Sequence, residues 1–130
     1  MGSLQRTTTR TADVSLLDGW CVVTRVHRAA VQSLDDAREN LAATRAVSGP
    51  VRRPLLVDIT VCAPLEPEIR HFYTGKLLDE SFVAQALLVE ASAFGCTMGN
   101  IYLRVARPGI PTRLFHDEPG ALAWLRTFAS

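Results

Sequence analysis

Two carboxylates that close apolar runs are the first candidates for chemistry. Asp58 ends the run "LLVD" at 55–58, and Glu90 ends "ALLVE" at 86–90. If both lay in one cleft, a raised pKa could let the pair act as acid and base. The alternative is structural, because a short carboxylate at the end of a strand accepts hydrogen bonds from backbone amides of the next loop. The sequence favours the structural interpretation for Asp58, since acid–base chemistry needs a second titratable group and only Glu90 is placed to supply it.

The remaining reactive residues do not form a catalytic or metal-binding pattern. The three histidines lie in separate predicted elements, without a fixed spacing to Cys, Asp or Glu: His27, His71 and His116. The three cysteines are far apart, and the chain has neither a CxxC pair nor a Gly-rich phosphate loop: Cys21, Cys62 and Cys96. We therefore expect reduced, mostly buried cysteines, no metal, no cofactor and no enzyme activity.

Composition limits the class of protein. The chain has 130 residues, of which 48% are hydrophobic and 21% charged, as in one globular domain. A formal net charge of +1 is too small to attract nucleic acid or an acidic membrane. The start of the chain is short and polar, which predicts a cytoplasmic protein without stable membrane insertion. Residues 1–10 are expected to be a flexible start, and residues 11–130 the domain.

Periodicity and turn residues predict an α/β domain. Asp18-Gly19 indicates a tight hairpin turn between two strands over 12–26. Helices are predicted at 33–49, 65–75, 91–106 and 117–128, and further strands at 52–60, 82–90 and 112–115. The consecutive apolar residues of the runs at 52–60 and 82–90 are typical of strands covered on both faces. Together these elements predict a mostly parallel five-stranded sheet with an antiparallel N-terminal edge strand and about four helices.

This order of elements places acidic and basic residues at opposite edges of the sheet. The acids that follow parallel strands map to the carboxyl edge of the sheet: Asp58, Glu90, Asp117 and Glu118. Arginines map to the opposite edge: Arg45, Arg52, Arg53, Arg107 and Arg113. The functional interpretation is an acidic ligand edge or a basic docking edge. The structural interpretation is that helix macrodipoles favour acids at N-termini and bases at C-termini.

The strand "RPLLVDIT" and the ending "GNIYLRVARPGIPTRLFHDEPGALAWL" resemble small bacterial STAS-like domains. These form the SpoIIAA-like superfamily, which also resembles the CRAL-TRIO lipid-binding fold. The ending matches the pattern of a strand that leads into the last helix through these residues: Phe115, Asp117, Glu118, Ala121, Leu122, Trp124 and Leu125. The resemblance covers about residues 12–128, and it implies a SpoIIAA-like single domain.

The resemblance implies a non-enzymatic regulatory module that binds a protein partner, and we expect a homodimer. Antagonist members dock an anti-sigma kinase through the loop and helix after the central strand. The corresponding candidates here are Asp58, Thr60, Glu66 and Arg70. The stretch "DITVCAPLEPEIR" lacks the D-S-x-G motif of the phosphorylation switch, and Thr60 offers the only nearby hydroxyl.

The alternative function is a small-molecule or lipid carrier. Its cavity would lie between the sheet and the helices predicted at 66–74 and 91–105, with Phe72, Phe94 and Met98 as candidate lining residues. A lipid or another small apolar ligand would then be the partner.

Overall fold

A mixed sheet of six strands, flanked by two helices, forms the part of the chain that the structure describes. The structure is a computed structural model, and it describes residues 5–28, 31–60, 68–69, 72, 80–90 and 109–129. The strands follow each other in the sheet in their order along the chain: β1 Arg6–Thr8, β2 Ala12–Leu17, β3 Cys21–Val26, β4 Arg53–Asp58, β5 Phe82–Leu88 and β6 Thr112–Phe115. The helices are α1 Leu34–Ser48 and α2 Glu118–Arg126.

The first three strands are antiparallel. β2 and β3 form the predicted hairpin, in which both turn residues adopt positive φ, 47° at Asp18 and 76° at Gly19. β1 adds to the outer side of β2 with Thr7 opposite Val14. The prediction of five strands is therefore wrong, and the strand at 12–17 is not the edge. β1 lies within the segment expected to be flexible, and its three residues, "RTT", are too few and too polar for a periodic strand signal.

The strands from β3 to β6 are parallel, as predicted. The two apolar runs lie side by side, with Leu56 opposite Ala86 and Asp58 opposite Leu88. Two of the four predicted helices correspond to α1 and α2. The other two, predicted at 65–75 and 91–106, fall almost entirely outside the described residues.

Each face of the sheet has its own apolar core. On the face that α1 covers, which we call the α1 face, the buried cluster comprises Val14, Val22, Leu41, Val47, Leu55, Phe82 and Ile110. On the other face, the α2 face, it comprises Cys21, Val23, Leu56, Ala84, Ala86, Leu88, Ala121 and Leu125. Burial raises the pKa of the Cys21 thiol to about 12, so this cysteine is buried as predicted and protonated at neutral pH.

Local sequence determines both ends of α1. The Ser33 hydroxyl accepts a hydrogen bond from the Asp36 amide at 3.2 Å, and the Asp36 carboxylate accepts one from the Ser33 amide at 2.9 Å. This is a capping box, which satisfies amides that the helix itself leaves without partners. Gly49 ends the helix at φ 71°, and its amide bonds to the Arg45 carbonyl. A residue with a side chain would be strained at that φ.

Arg10 joins the strand region to the start of α1. Its Nε donates to Asp36 Oδ1 at 2.8 Å, and its Nη2 donates to Asp36 Oδ2. The Arg10 guanidinium, followed by the Ser33 amide, lowers the pKa of the Asp36 carboxyl well below its ordinary value. Asp36, which completes the capping box, thus also attaches α1 to the segment between β1 and β2.

The lowered pKa of Asp36 predicts a loss of stability in acid. The unfolded chain protonates this carboxyl near its ordinary pKa, about 3.9, whereas the folded chain resists protonation. Stability from Asp36 should therefore be complete above about pH 5 and decline as the pH falls below about 4. In urea unfolding, Asp36→Asn should be less stable than the wild type at pH 7, and the gap should shrink towards pH 2.5. A gap that stays constant over this range would contradict the assignment.

Asp117 is the N-cap of α2, the helix predicted at 117–128. Its carboxylate accepts a hydrogen bond from the Gly120 amide at 3.2 Å, and Pro119 occupies the first turn. Trp124 contacts Phe115 and Phe128 with ring centroids 5.7 and 4.9 Å away. The residues that carry the family resemblance therefore cap this helix and pack it on the sheet.

Candidate functional site

A charged network lies where β3 and β4 end and α2 begins. Arg25 is the last but one residue of β3 and pairs in register with Asp58, the last residue of β4. Its Nη1 lies 3.0 Å from Asp58 Oδ2 and 2.7 Å from Glu118 Oε1. We call Arg25, Asp58, Thr60 and Glu118 the carboxyl-edge surface.

Asp58 organises the chain that leaves β4. Its Oδ1 accepts hydrogen bonds from the Thr60 amide at 3.1 Å and the Thr60 hydroxyl at 2.7 Å. Its Oδ2 is paired with Arg25, so each carboxylate oxygen has a partner. This arrangement is the structural role that the sequence favours for Asp58, a strand end that holds the following turn.

Arg25 remains accessible although it has two acidic partners. Its side chain is 46% exposed, compared with 36% for Glu118 and 17% for Asp58. The hydrogen bond to Glu118, together with the charges of both acids, raises the pKa of the guanidinium above its ordinary value. The network therefore presents a fixed pattern of charge to solvent.

A second polar contact lies beside this network. His27 Nε2 lies 3.2 Å from Asp13 Oδ1, and the Thr8 hydroxyl donates to the same oxygen at 3.0 Å. The hydrogen bonds from His27 and Thr8 lower the pKa of Asp13. Through the strand register, Thr8, Asp13, Arg25 and Asp58 form one row across four strands on the α2 face.

The structure brings together part of the predicted docking set. Asp58 and Thr60 are in contact, whereas Glu66 and Arg70 lie outside the described residues. Sequence reasoning placed Glu118 at this edge but missed Arg25. An arginine near the end of an otherwise apolar strand was the available signal, since the parallel neighbour of that strand ends in Asp58.

Of the three predicted cavity residues, likewise, only some are among the described residues. Phe72 is partly buried and packs against the apolar cluster of the α1 face. Phe94 and Met98 lie outside the described residues. The carrier alternative therefore stays a prediction.

Removal of the Asp58 carboxylate should loosen this edge. Asp58→Ala deletes the acceptor for both Thr60 donors and for Arg25, and we expect a loss of about 2 kcal/mol in the free energy of unfolding. Asp58→Asn keeps an acceptor for Thr60 and should lose about half as much. Urea unfolding at pH 7 measures both variants. Equal stability of Asp58→Ala and the wild type would show that the network contributes nothing to the fold.

At the opposite edge of the sheet, arginine side chains bind backbone carbonyls, whereas Arg25 binds carboxylates. Arg52 Nη2 donates to the Phe82 carbonyl at 2.7 Å, and Arg53 donates to the carbonyls of Ser48 and Gly19 at 3.0 and 2.7 Å. These arginines hold backbone carbonyls at the end of α1, in the hairpin turn and at the start of β5. A shallow groove of about 520 Å³ lies beside them between Ala42 and Val51.

Neither α1 nor α2 is long and apolar enough to cross a membrane. Within the described ranges, no three His, Cys, Asp or Glu side chains cluster closely enough to hold a metal ion.

The fold has a solved counterpart. An uncharacterised protein of the DUF3478 family from Shewanella loihica PV-4, described as having a SpoIIAA-like fold, is 16% identical and has a TM-score of 0.61. The match covers 96% of this chain and 98% of that one. This chain therefore has a SpoIIAA-like α/β fold, as its ending and element order predict. A protein of unknown function from Arthrobacter sp. FB24 is 21% identical over 87% of this chain and 97% of that one, with a TM-score of 0.34.

The family of this chain is identified from its sequence. The model of a domain of unknown function, DUF7793, matches residues 15–129. The chain belongs to this family. No curated protein matches it.

Proposed function

We propose that this domain is a non-enzymatic regulatory module that binds a protein partner through the carboxyl-edge surface. The observation that carries the proposal is the partly exposed, hydrogen-bonded charge network of Arg25, Asp58 and Glu118. Its three side chains are already held in place, so a partner would lose little side-chain freedom when it binds. Asp58 has partners at both oxygens, which favours recognition over acid–base chemistry.

The charge of the surface indicates the chemistry of the partner. Asp58 ends β4, and Glu90, Asp117 and Glu118 follow the ends of the neighbouring strands β5 and β6. Arg25 neutralises only part of the charge of the two acids that it contacts. A basic protein surface fits this edge best, with association that slows as salt is added.

Thr60 fits poorly as a phosphorylation switch. Its hydroxyl donates to Asp58, so a phosphate at this position would place two further negative charges beside that carboxylate. Such a group would open the turn that Asp58 holds. We therefore propose that partner binding here does not depend on phosphorylation of Thr60, and phosphopeptide mass spectrometry after incubation with a cognate kinase checks this point.

The homodimer stays a prediction. Light scattering of the purified protein should give twice the chain mass. A monomer mass at micromolar concentration would contradict it without affecting the proposed surface.

Site-specific photocrosslinking tests the surface. A photoreactive amino acid at His116, an exposed residue two positions before Glu118, should crosslink one partner in the cells that carry the gene. The same amino acid at Ala46, an exposed α1 position near the opposite edge, should not. The crosslink at His116 should weaken at least tenfold in Arg25→Glu, which reverses one charge of the surface.

The result at the two positions decides the proposal. Equal crosslinking from Ala46, or crosslinking from His116 that Arg25→Glu leaves unchanged, would overturn it. Circular dichroism of each variant shows that the loss is not caused by unfolding.

A further inference from the structure

The hydrogen bonds between β1 and β2 show which backbone groups of β1 face outwards. The Leu16 amide donates to the Gln5 carbonyl at 2.9 Å, which continues the register of the two strands. Hydrogen-bonded and non-hydrogen-bonded pairs alternate along an antiparallel ladder. Thr7, two residues after Gln5, therefore directs its amide and carbonyl towards β2. Arg6 and Thr8 direct theirs away from the sheet.

This outer edge of β1 is open in the part of the chain that the structure describes. β1 is the first strand of the sheet, and the side chains of Arg6 and Thr8 are exposed. No described residue bonds to the outward amides and carbonyls of these two residues. Unpaired backbone groups at a sheet edge are a template for another strand. β1 can therefore accept a further strand without a change in its pairing with β2.

The row of side chains that leads to this edge alternates in charge. On the α2 face, Asp58 lies opposite Arg25, Arg25 opposite Asp13, and Asp13 opposite Thr8. The row thus reads negative, positive and negative before it ends at an uncharged residue of β1. Opposite charges on neighbouring strands stabilise a sheet, whereas like charges directly opposite each other destabilise it. A strand added beyond Thr8 fits this row best if it brings a cation.

A second copy of β1 supplies that cation. In the antiparallel register that places Arg6 opposite Thr8 of the other copy, every outward amide and carbonyl of β1 has a partner. The second copy's arginine then lies about 10 Å from Asp13, two strand spacings away and within reach of its long side chain. Thr7 meets the same threonine of the other copy on the two-fold axis, which is a favourable cross-strand pair. The strand is thus complementary to itself.

The other edge of the described sheet is less suited to a second copy. The Val89 amide donates to the Phe115 carbonyl at 2.9 Å, so the backbones of Thr112 and Leu114 face outwards from β6. A register that pairs both of them with a second copy places Arg113 directly opposite the same arginine of that copy. This contact repels, and the corresponding register of β1 has none like it.

We propose that a second copy of this chain adds to the outer edge of β1 in the antiparallel direction, so that one sheet runs through both copies. The inference rests on the homodimer expected above, and it assigns the surface that forms it. This surface lies at the opposite side of the sheet from β6 and is separate from the carboxyl-edge surface. A dimer of this kind leaves Glu118 and its neighbours accessible to another protein.

Proline at position 8 tests the edge with little effect on the fold. The Thr8 amide faces outwards, so Thr8→Pro removes a donor to the second copy but none to β2. Thr8→Val is the matched control, because it also loses the hydroxyl that donates to Asp13 but keeps the amide. In light scattering, we expect Thr8→Val to keep twice the chain mass and Thr8→Pro to raise the dimer dissociation constant at least tenfold. Circular dichroism checks that both variants are folded.

A disulfide tests the register without a proline. The two copies of Thr7 should have Cα atoms about 4.5 Å apart, within the range that a disulfide bridges. Thr7→Cys should therefore form a covalent dimer under mild oxidation. The two copies of Arg6 are about 8 Å apart, beyond that range, so Arg6→Cys should remain largely uncrosslinked, as should the wild type.

Other outcomes overturn the proposal. A single-chain mass for the wild type would contradict both the homodimer and its assignment to β1. A dimer that Thr8→Pro leaves intact, or equal crosslinking of Thr7→Cys and Arg6→Cys, would show that the homodimer uses another surface. The photocrosslink at His116 tests the carboxyl-edge surface by itself, so its result stands apart from these.

Discussion

Truncation of Phe82 to alanine is expected to lower the free energy of unfolding by about 3–5 kcal/mol. Phe82 is fully buried at the start of β5 and belongs to the α1-face cluster with Val22 and Leu55. Alanine would leave a cavity where strands and helix α1 meet, since close-packed neighbours relax only in part. Urea unfolding followed by tryptophan fluorescence measures the loss.

Two further variants make this measurement specific. Phe82→Leu keeps most of the apolar volume and should cost less than about 1.5 kcal/mol. Val51→Ala removes a side chain that is 53% exposed and should change stability by less than about 0.5 kcal/mol. A loss below about 1 kcal/mol for Phe82→Ala would mean that this phenylalanine is not part of the core.

Replacement of Asn40 by alanine should cost about 3 kcal/mol. Asn40 is 2% exposed in α1, donates to Thr11 and Gln32, and accepts a hydrogen bond from the Thr9 hydroxyl. Its removal leaves buried polar partners unpaired and separates α1 from the turn between β1 and β2. Hydrogen exchange should therefore accelerate at β1 before the rest of the sheet unfolds.

Arg38→Ala is the matched control on the same helix. Arg38 is 60% exposed and contacts only the exposed Asp35 in the described structure, so its loss should change stability by less than about 0.5 kcal/mol. If Asn40→Ala proved as mild as Arg38→Ala, the buried polar network would not hold α1 to the strands.

The sequence by itself determined the features that depend on neighbouring residues along the chain. The Asp18-Gly19 turn, the Ser33 capping box and the Asp117 cap are local, because each joins groups at most three residues apart. The two apolar runs likewise indicated central parallel strands, since consecutive apolar residues are typical of strands covered on both faces.

Only the tertiary structure determines the features that depend on strand register between segments distant in the chain. β1 has too little periodicity to be predicted, and its position comes from pairing with β2. Arg25 meets Asp58 because β3 and β4 stop at the same level, 33 residues apart in the chain. A sequence specifies which residues are apolar or charged, but contacts across strands depend on register, which the packing of the whole sheet sets.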